Sequence, residues 1–226
     1  MGSPTTKLTQ PETSSHKLRS LGFFLAGFFA VWTLWTLLLV SRPVLNQHGV
    51  LRLVVRVSVW IVPSCLFVRV VEGRPLLGRL GLTLNWRKGM LFGFLSFLAL
   101  ALVVGAQHHS RLSRFALPAD PAIWLNAIVS APIAEEVLFR GLVFRVLLER
   151  LTIWSALALS ALLFALIHLP YWWLSAAAPP AALVLRLGSM FVYGVFFALL
   201  YHWSGSLYAP IVCHVLNNLL TSSLGL

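Results

Sequence analysis

LGFFLAGFFAVWTLWTLLLV, residues 21–40, runs for twenty residues without a charge. About 20 apolar residues, at ~1.5 Å of rise each, cross the ~30 Å hydrocarbon core of a bilayer. The stretch reads as a transmembrane helix. A cleaved signal peptide is the competing reading, but its apolar region is usually about 7–15 residues long and ends in small residues. Here Ser41, Arg42 and Pro43 follow instead.

Composition extends this reading to the whole chain. Of 226 residues, 59% are hydrophobic and 10% charged, whereas a soluble domain keeps about 25% charged residues for its surface. Six further apolar segments follow, at 51–71, 90–106, 122–146, 153–168, 183–203 and 207–220. The expected fold class is all-α, a polytopic transmembrane helix bundle of about seven spans. Residues 1–20 are expected to be a polar, disordered tail, and 21–226 one transmembrane domain. Gly89 and Gly93, where the third span begins, suit close helix contact.

Seventeen Lys and Arg against six Asp and Glu would suggest nucleic acid in a soluble protein. In a membrane protein the excess sets orientation, and no nucleic-acid partner is expected. With the amino terminus inside, inner segments hold nine basic residues and the outer loops three, Arg42, Arg111 and Arg114. That favours a cytoplasmic amino terminus and, in a bacterial host, the plasma membrane. Arg52, Arg56 and Arg69 lie near the ends of the second span, where snorkelling to headgroups is the simpler account and lining a polar interior the sharper one. Cys65 and Cys213 lie in apolar runs with no metal-ligand spacing and no implied disulfide.

The fourth span contains SAPIAEEVLFRG, residues 130–141. A charge at mid-helix costs about 2.5–3.5 kcal/mol on insertion scales, so three in one span require partners. Glu136 and Arg140 are four apart and share a helix face. Glu135 points about 100° away and has no local basic partner. Pro132 removes a backbone donor one turn earlier. Two other spans supply polar groups: Phe164 and His168 in the fifth, His214 and Asn218 in the seventh, each pair again four apart. At ~1.5 Å per residue, Glu135, His168 and His214 all fall within about 7 Å of the bilayer midplane.

Two readings stay open from the residues alone. A carboxylate and an imidazole around water form a general-base pair, while a second His and an amide stabilise an oxyanion. Alternatively, these are mutually satisfied polar groups that rigidify the bundle.

The ordered set Glu135-Glu136-x-x-x-Arg140, Phe164-x-x-x-His168 and His214-x-x-x-Asn218 resembles the CPBP family, the CAAX proteases and bacteriocin-processing enzymes also called Abi. The resemblance covers about 122–220. It implies an intramembrane endopeptidase acting on a peptide or lipid-anchored protein near the membrane surface, among membrane lipids. It further implies that Glu135 and His168 activate water and that His214 and Asn218 stabilise the oxyanion. Glu136 and Arg140 would orient the site from behind, and Asn217 is an outside candidate. The family has been classed as metallopeptidases, with zinc then falling to Glu135, His168 and His214. A glutamate-dependent reaction with no cofactor is preferred, because no His-Glu-x-x-His occurs. The rival from another class is an inactive scaffold or bacteriocin-immunity protein that keeps the same polar residues.

Other intramembrane proteases are disfavoured. Asp120 is the sole aspartate, Ser204-Gly205-Ser206 lacks a Gly-x-Ser-x-Gly setting, and Cys213 and His214 diverge as helix neighbours.

Overall fold

The computed structural model of the protein describes residues 12–83, 85–175 and 179–226. Every regular element among them is helical. In chain order these are α1 (Glu12–Ser41), α2 (Gly49–Val70), α3 (Leu76–Leu80), α4 (Trp86–Gln107), α5 (121–148), α6 (Ile153–Leu166), α7 (Leu169–Leu174), α8 (Pro180–Ser204) and α9 (Tyr208–Ser223).

Five segments are long and apolar enough to cross a membrane: His16–Ser41, α2, α4, α6 with α7 as Ile153–Leu174, and α8. Of the seven spans expected from the sequence, α5 and α9 are the two outside this set. The first carries Glu135, Glu136 and Arg140, and the second has only 16 residues. Helix α1 begins at Glu12, so residues 12–20 of the expected disordered tail are helical; residues 1–11 lie outside the described residues. Part of the reason is an anchor: Lys17 Nζ pairs with Glu149 Oε2 at 3.1 Å.

Opposite ends of the bundle are tied differently. At one end Arg79 bridges Glu72 and Glu149, beside Lys17, and Leu207 N donates to the Gly81 carbonyl at 3.0 Å. At the other, Asn126 Nδ2 donates to the Gly49 carbonyl at 3.0 Å and Ala116 N to the Ser223 carbonyl at 3.0 Å.

Helix α5 is the centre. All eight residues of Val137–Phe144 are buried, the pattern of a helix enclosed on every side. Its charges therefore face protein, not lipid. Two of the wide, π-type helical turns, Val57–Ile61 in α2 and Trp124–Ser130 in α5, each end two residues before a proline, Pro63 and Pro132. Proline cannot donate the usual i→i−4 bond, and π-turns of this kind recur at functional sites.

Small residues set the helix spacing. A Cβ on Gly93 would lie 2.4 Å from the Ala209 carbonyl oxygen, one on Gly89 2.5 Å from Ser206 Oγ, and one on Gly194 2.8 Å from Ala161 Cα. The glycines expected to allow close contact thus bring α4 against the start of α9, and Gly194 brings α8 onto α6.

Candidate active site

Arg140 has no exposed surface. Its Nη1 donates to Glu136 Oε1 at 3.0 Å and its Nη2 to the Gly194 carbonyl at 2.9 Å. The guanidinium sits 4.5 Å from the Phe164 ring centroid and 5.4 Å from that of Phe197. Burying such a pair is tolerable only with good geometry and further hydrogen bonds, and the aromatic faces add cation–π attraction.

The same Glu136 oxygen accepts from His214 Nδ1 at 2.8 Å. The His214 ring also stacks on Phe197, with centroids 4.5 Å apart and planes 19° apart. A carboxylate on Nδ1–H fixes the tautomer and leaves Nε2 facing outward. That Nε2 lies 3.9 Å from Glu135 Oε2. This is beyond direct hydrogen-bond range, yet an oxygen atom at ~2.8 Å from both fits the gap.

Glu135 points elsewhere, as its 100° offset requires. Its side chain is 14% exposed, and it lines a cavity of about 420 Å³ together with His168. His168 occupies the break between α6 and α7. Pro170 follows, so the helix cannot continue unbroken. Trp32 Nε1 donates to the Ile167 carbonyl at 3.1 Å. His168 Nδ1 donates to the Phe164 carbonyl at 3.0 Å, and its ring stacks on Trp172 at 5.3 Å. Nε2 of a neutral His168 is thereby left as the basic nitrogen.

The six expected site residues are therefore divided. Glu135 and His168 share the cavity; His214 touches Glu135 from the side; Glu136 and Arg140 hold His214 from behind. Asn218 is turned away, its Nδ2 donating to the Ala127 carbonyl at 2.9 Å and tying α9 to α5. Its neighbour Asn217 is buried with Oδ1 unpartnered.

Two arginines also line the cavity, Arg52 and Arg56. For these the polar-interior alternative describes the structure better than snorkelling. Arg52, Arg56 and Trp60 recur every four residues, so they form one stripe on α2. That period is the signal in the sequence, together with Trp32, Trp35, Thr36 and Leu39 on α1.

Zinc fits this arrangement poorly. Among the described residues no three of His, Cys, Asp and Glu are grouped closely enough to hold a metal ion, and Glu135, His168 and His214 do not converge as ligands.

Comparison with known proteins gives one match in kind. Residues 117–220 fit the family model described as type II CAAX prenyl endopeptidase Rce1-like. No curated protein and no solved structure matches the chain. The matched segment contains Glu135, Glu136, Arg140, Phe164, His168, His214 and Asn218, the full set described above. Five apolar helices long enough to cross a bilayer support an integral membrane protein, and the family matched is one of membrane proteases. The segment that carries all three motifs, 117–220, is similar to the Rce1-like CAAX prenyl endopeptidases, and this match supports a CPBP-family assignment.

Proposed function

We propose that the protein is a glutamate-dependent intramembrane endopeptidase that hydrolyses a peptide bond of a lipid-anchored or apolar-tailed protein. The observation that carries this reading is the shared cavity of Glu135 and His168. Glu135 is the one carboxylate of its helix not absorbed by Arg140. Glu135 or His168 Nε2 takes one proton of a water, the other group holding its second hydrogen, as the water oxygen attacks the carbonyl carbon. As the C–O bond forms, the carbonyl π pair moves onto oxygen. His214, its Nδ1–H held by Glu136, donates Nε2–H to that oxyanion in its doubly protonated form. Collapse of the intermediate expels the amine, which recovers the proton from Glu135 or His168.

Asn218 enters this scheme only by releasing the Ala127 carbonyl or by using its second amide hydrogen. We assign it the support of α5 first and oxyanion binding second. No metal takes part in the proposed reaction.

The bundle-end contacts support seven crossings, because the chain alternates ends between α1 and α9. The nine-to-three excess of basic residues supports a cytoplasmic amino terminus and, in a bacterial host, the plasma membrane. The cavity is bounded by the carboxyl-terminal half of α1 and the start of α2, so it then opens on the non-cytoplasmic side.

The test is direct. Purified protein in liposomes is incubated with S-prenylated and unprenylated peptides carrying apolar carboxyl-terminal residues, and products are identified by mass spectrometry. Cleavage at one bond supports the reading. Intact peptides throughout, with a folded protein, favour the inactive scaffold.

A further inference from the structure

Arg52 and Arg56 lie in α2, outside the segment that matches the family model. Both nevertheless line the cavity of Glu135 and His168, and their bonding differs sharply. Arg56 Nη1 donates to the Asn126 carbonyl at 2.6 Å and to Ser130 Oγ at 2.8 Å. It props the wide turn that precedes Pro132, and is a positioning residue. Arg52 makes no side-chain hydrogen bond and no ion pair with any described residue.

Their depths differ too. Arg52 is in the first turn of α2, which begins at Gly49. Arg56 lies about 6 Å further along α2, and its side chain reaches Asn126 and Ser130. Asn126 sits level with Gly49, and Glu135 lies nine residues, about 13.5 Å, further along α5. Arg52 and Glu135 therefore line the same cavity about 9 Å apart along the helix axes, a gap that a short extended peptide covers. Trp32, Trp35 and Tyr171 line it as well. A cavity of about 420 Å³ holds a few residues of a chain.

An unpaired guanidinium on a cavity wall attracts an anion, and its planar fork matches a carboxylate. We propose that Arg52 is a specificity-determining residue that binds the free carboxyl terminus of the substrate peptide. This rests on the peptidase reading above and adds to it the residue that holds the terminal carboxylate.

The test uses the full protein in vesicles of zwitterionic lipid and two S-prenylated decapeptides, one ending in a free carboxylate and its twin in a carboxamide. Wild type should prefer the free acid by about tenfold in kcat/KM, the worth of one charge-assisted hydrogen bond, chiefly through KM. In R52Q that ratio should fall to about one, and R52K should restore part of it. An unchanged ratio in R52Q, or no preference in wild type, overturns the proposal. So does a dependence on added phosphatidylglycerol that is equal for both peptides, which would give Arg52 to a lipid headgroup. Binding of the same peptides, read by quenching of the cavity tryptophans, separates this proposal from the catalytic one. If neither peptide is cleaved, tighter binding of the acid that R52Q abolishes still supports the carboxylate site, and equal binding of both peptides sinks it.

Discussion

One oxygen of Glu136 is shared between two partners, Arg140 Nη1 at 3.0 Å and His214 Nδ1 at 2.8 Å. The pair on α5 that looked purely local in the sequence is thus the link that orients an imidazole on α9. Removing this carboxylate leaves a fully buried guanidinium without its counter-charge.

Glu136→Ala should therefore destabilise the protein by about 3–5 kcal/mol, the cost of breaking a buried pair from one side. Glu135→Ala, which leaves that pair intact, should cost less. Unfolding in mixed micelles by a denaturing detergent measures both. Equal stability of the two variants would contradict the role given to Glu136.

Gly93 faces the Ala209 carbonyl oxygen, with a Cβ placed only 2.4 Å away. Backbone cannot yield as a flexible side chain does. Gly93→Ala should cost about 1–3 kcal/mol through overpacking, while Gly105→Ala, with nothing within 4 Å, should be near neutral. The same unfolding assay compares the two.

At the opposite end from the cavity, burial pushes the Glu149 carboxyl up. Hydrogen bonds and charges from Lys17 and Arg79 outweigh that and hold it below its ordinary value of 4.5. A carboxyl lowered on folding contributes stability that is full above its unfolded value and is lost as pH falls through the folded one. Wild type should lose stability below about pH 4.5 more steeply than Glu149→Gln. Melting temperatures between pH 6 and pH 3 read this out, and parallel slopes would refute it.

Chelation should leave turnover unchanged, since Glu135, His168 and His214 do not gather as ligands. Activity that vanishes on dialysis against a chelator and returns with zinc would restore the metallopeptidase reading.

Membrane orientation is open to labelling. In a variant with Cys65 and Cys213 replaced by alanine, a cysteine at Arg74 should react with impermeant reagents only from the cytoplasmic side. One at Ser113 should react only from the opposite side. The reverse pattern would invert the orientation and place the cavity mouth toward the cytoplasm.

How much of this was legible in the sequence depends on the length scale of each signal. The apolar run at 21–40 and the i,i+4 pairs Glu136–Arg140 and His214–Asn218 are local, and they announce helices and shared faces. The helical start at Glu12 was hidden because its Lys17–Glu149 anchor joins residues far apart in the chain. Arg52 and Arg56 looked interfacial for a similar reason: position along a span does not say which face meets protein. Asn218 sits on the expected face, but its amide is taken by the Ala127 carbonyl, a partner no spacing rule identifies. The break at His168 was foreshadowed by Pro170, whereas its capping by Trp32 was not.

The central claim is that Glu135 and His168 together activate one water. Single-turnover cleavage of a prenylated peptide in liposomes, by wild type, Glu135→Gln, His168→Ala and the double variant, tests it most directly. Each single change should slow the chemical step by about 10²–10⁴-fold, and the double variant should be little slower than the worse single one, because the two groups act as a unit. Wild-type rates in both single variants, with folding intact, would contradict the account.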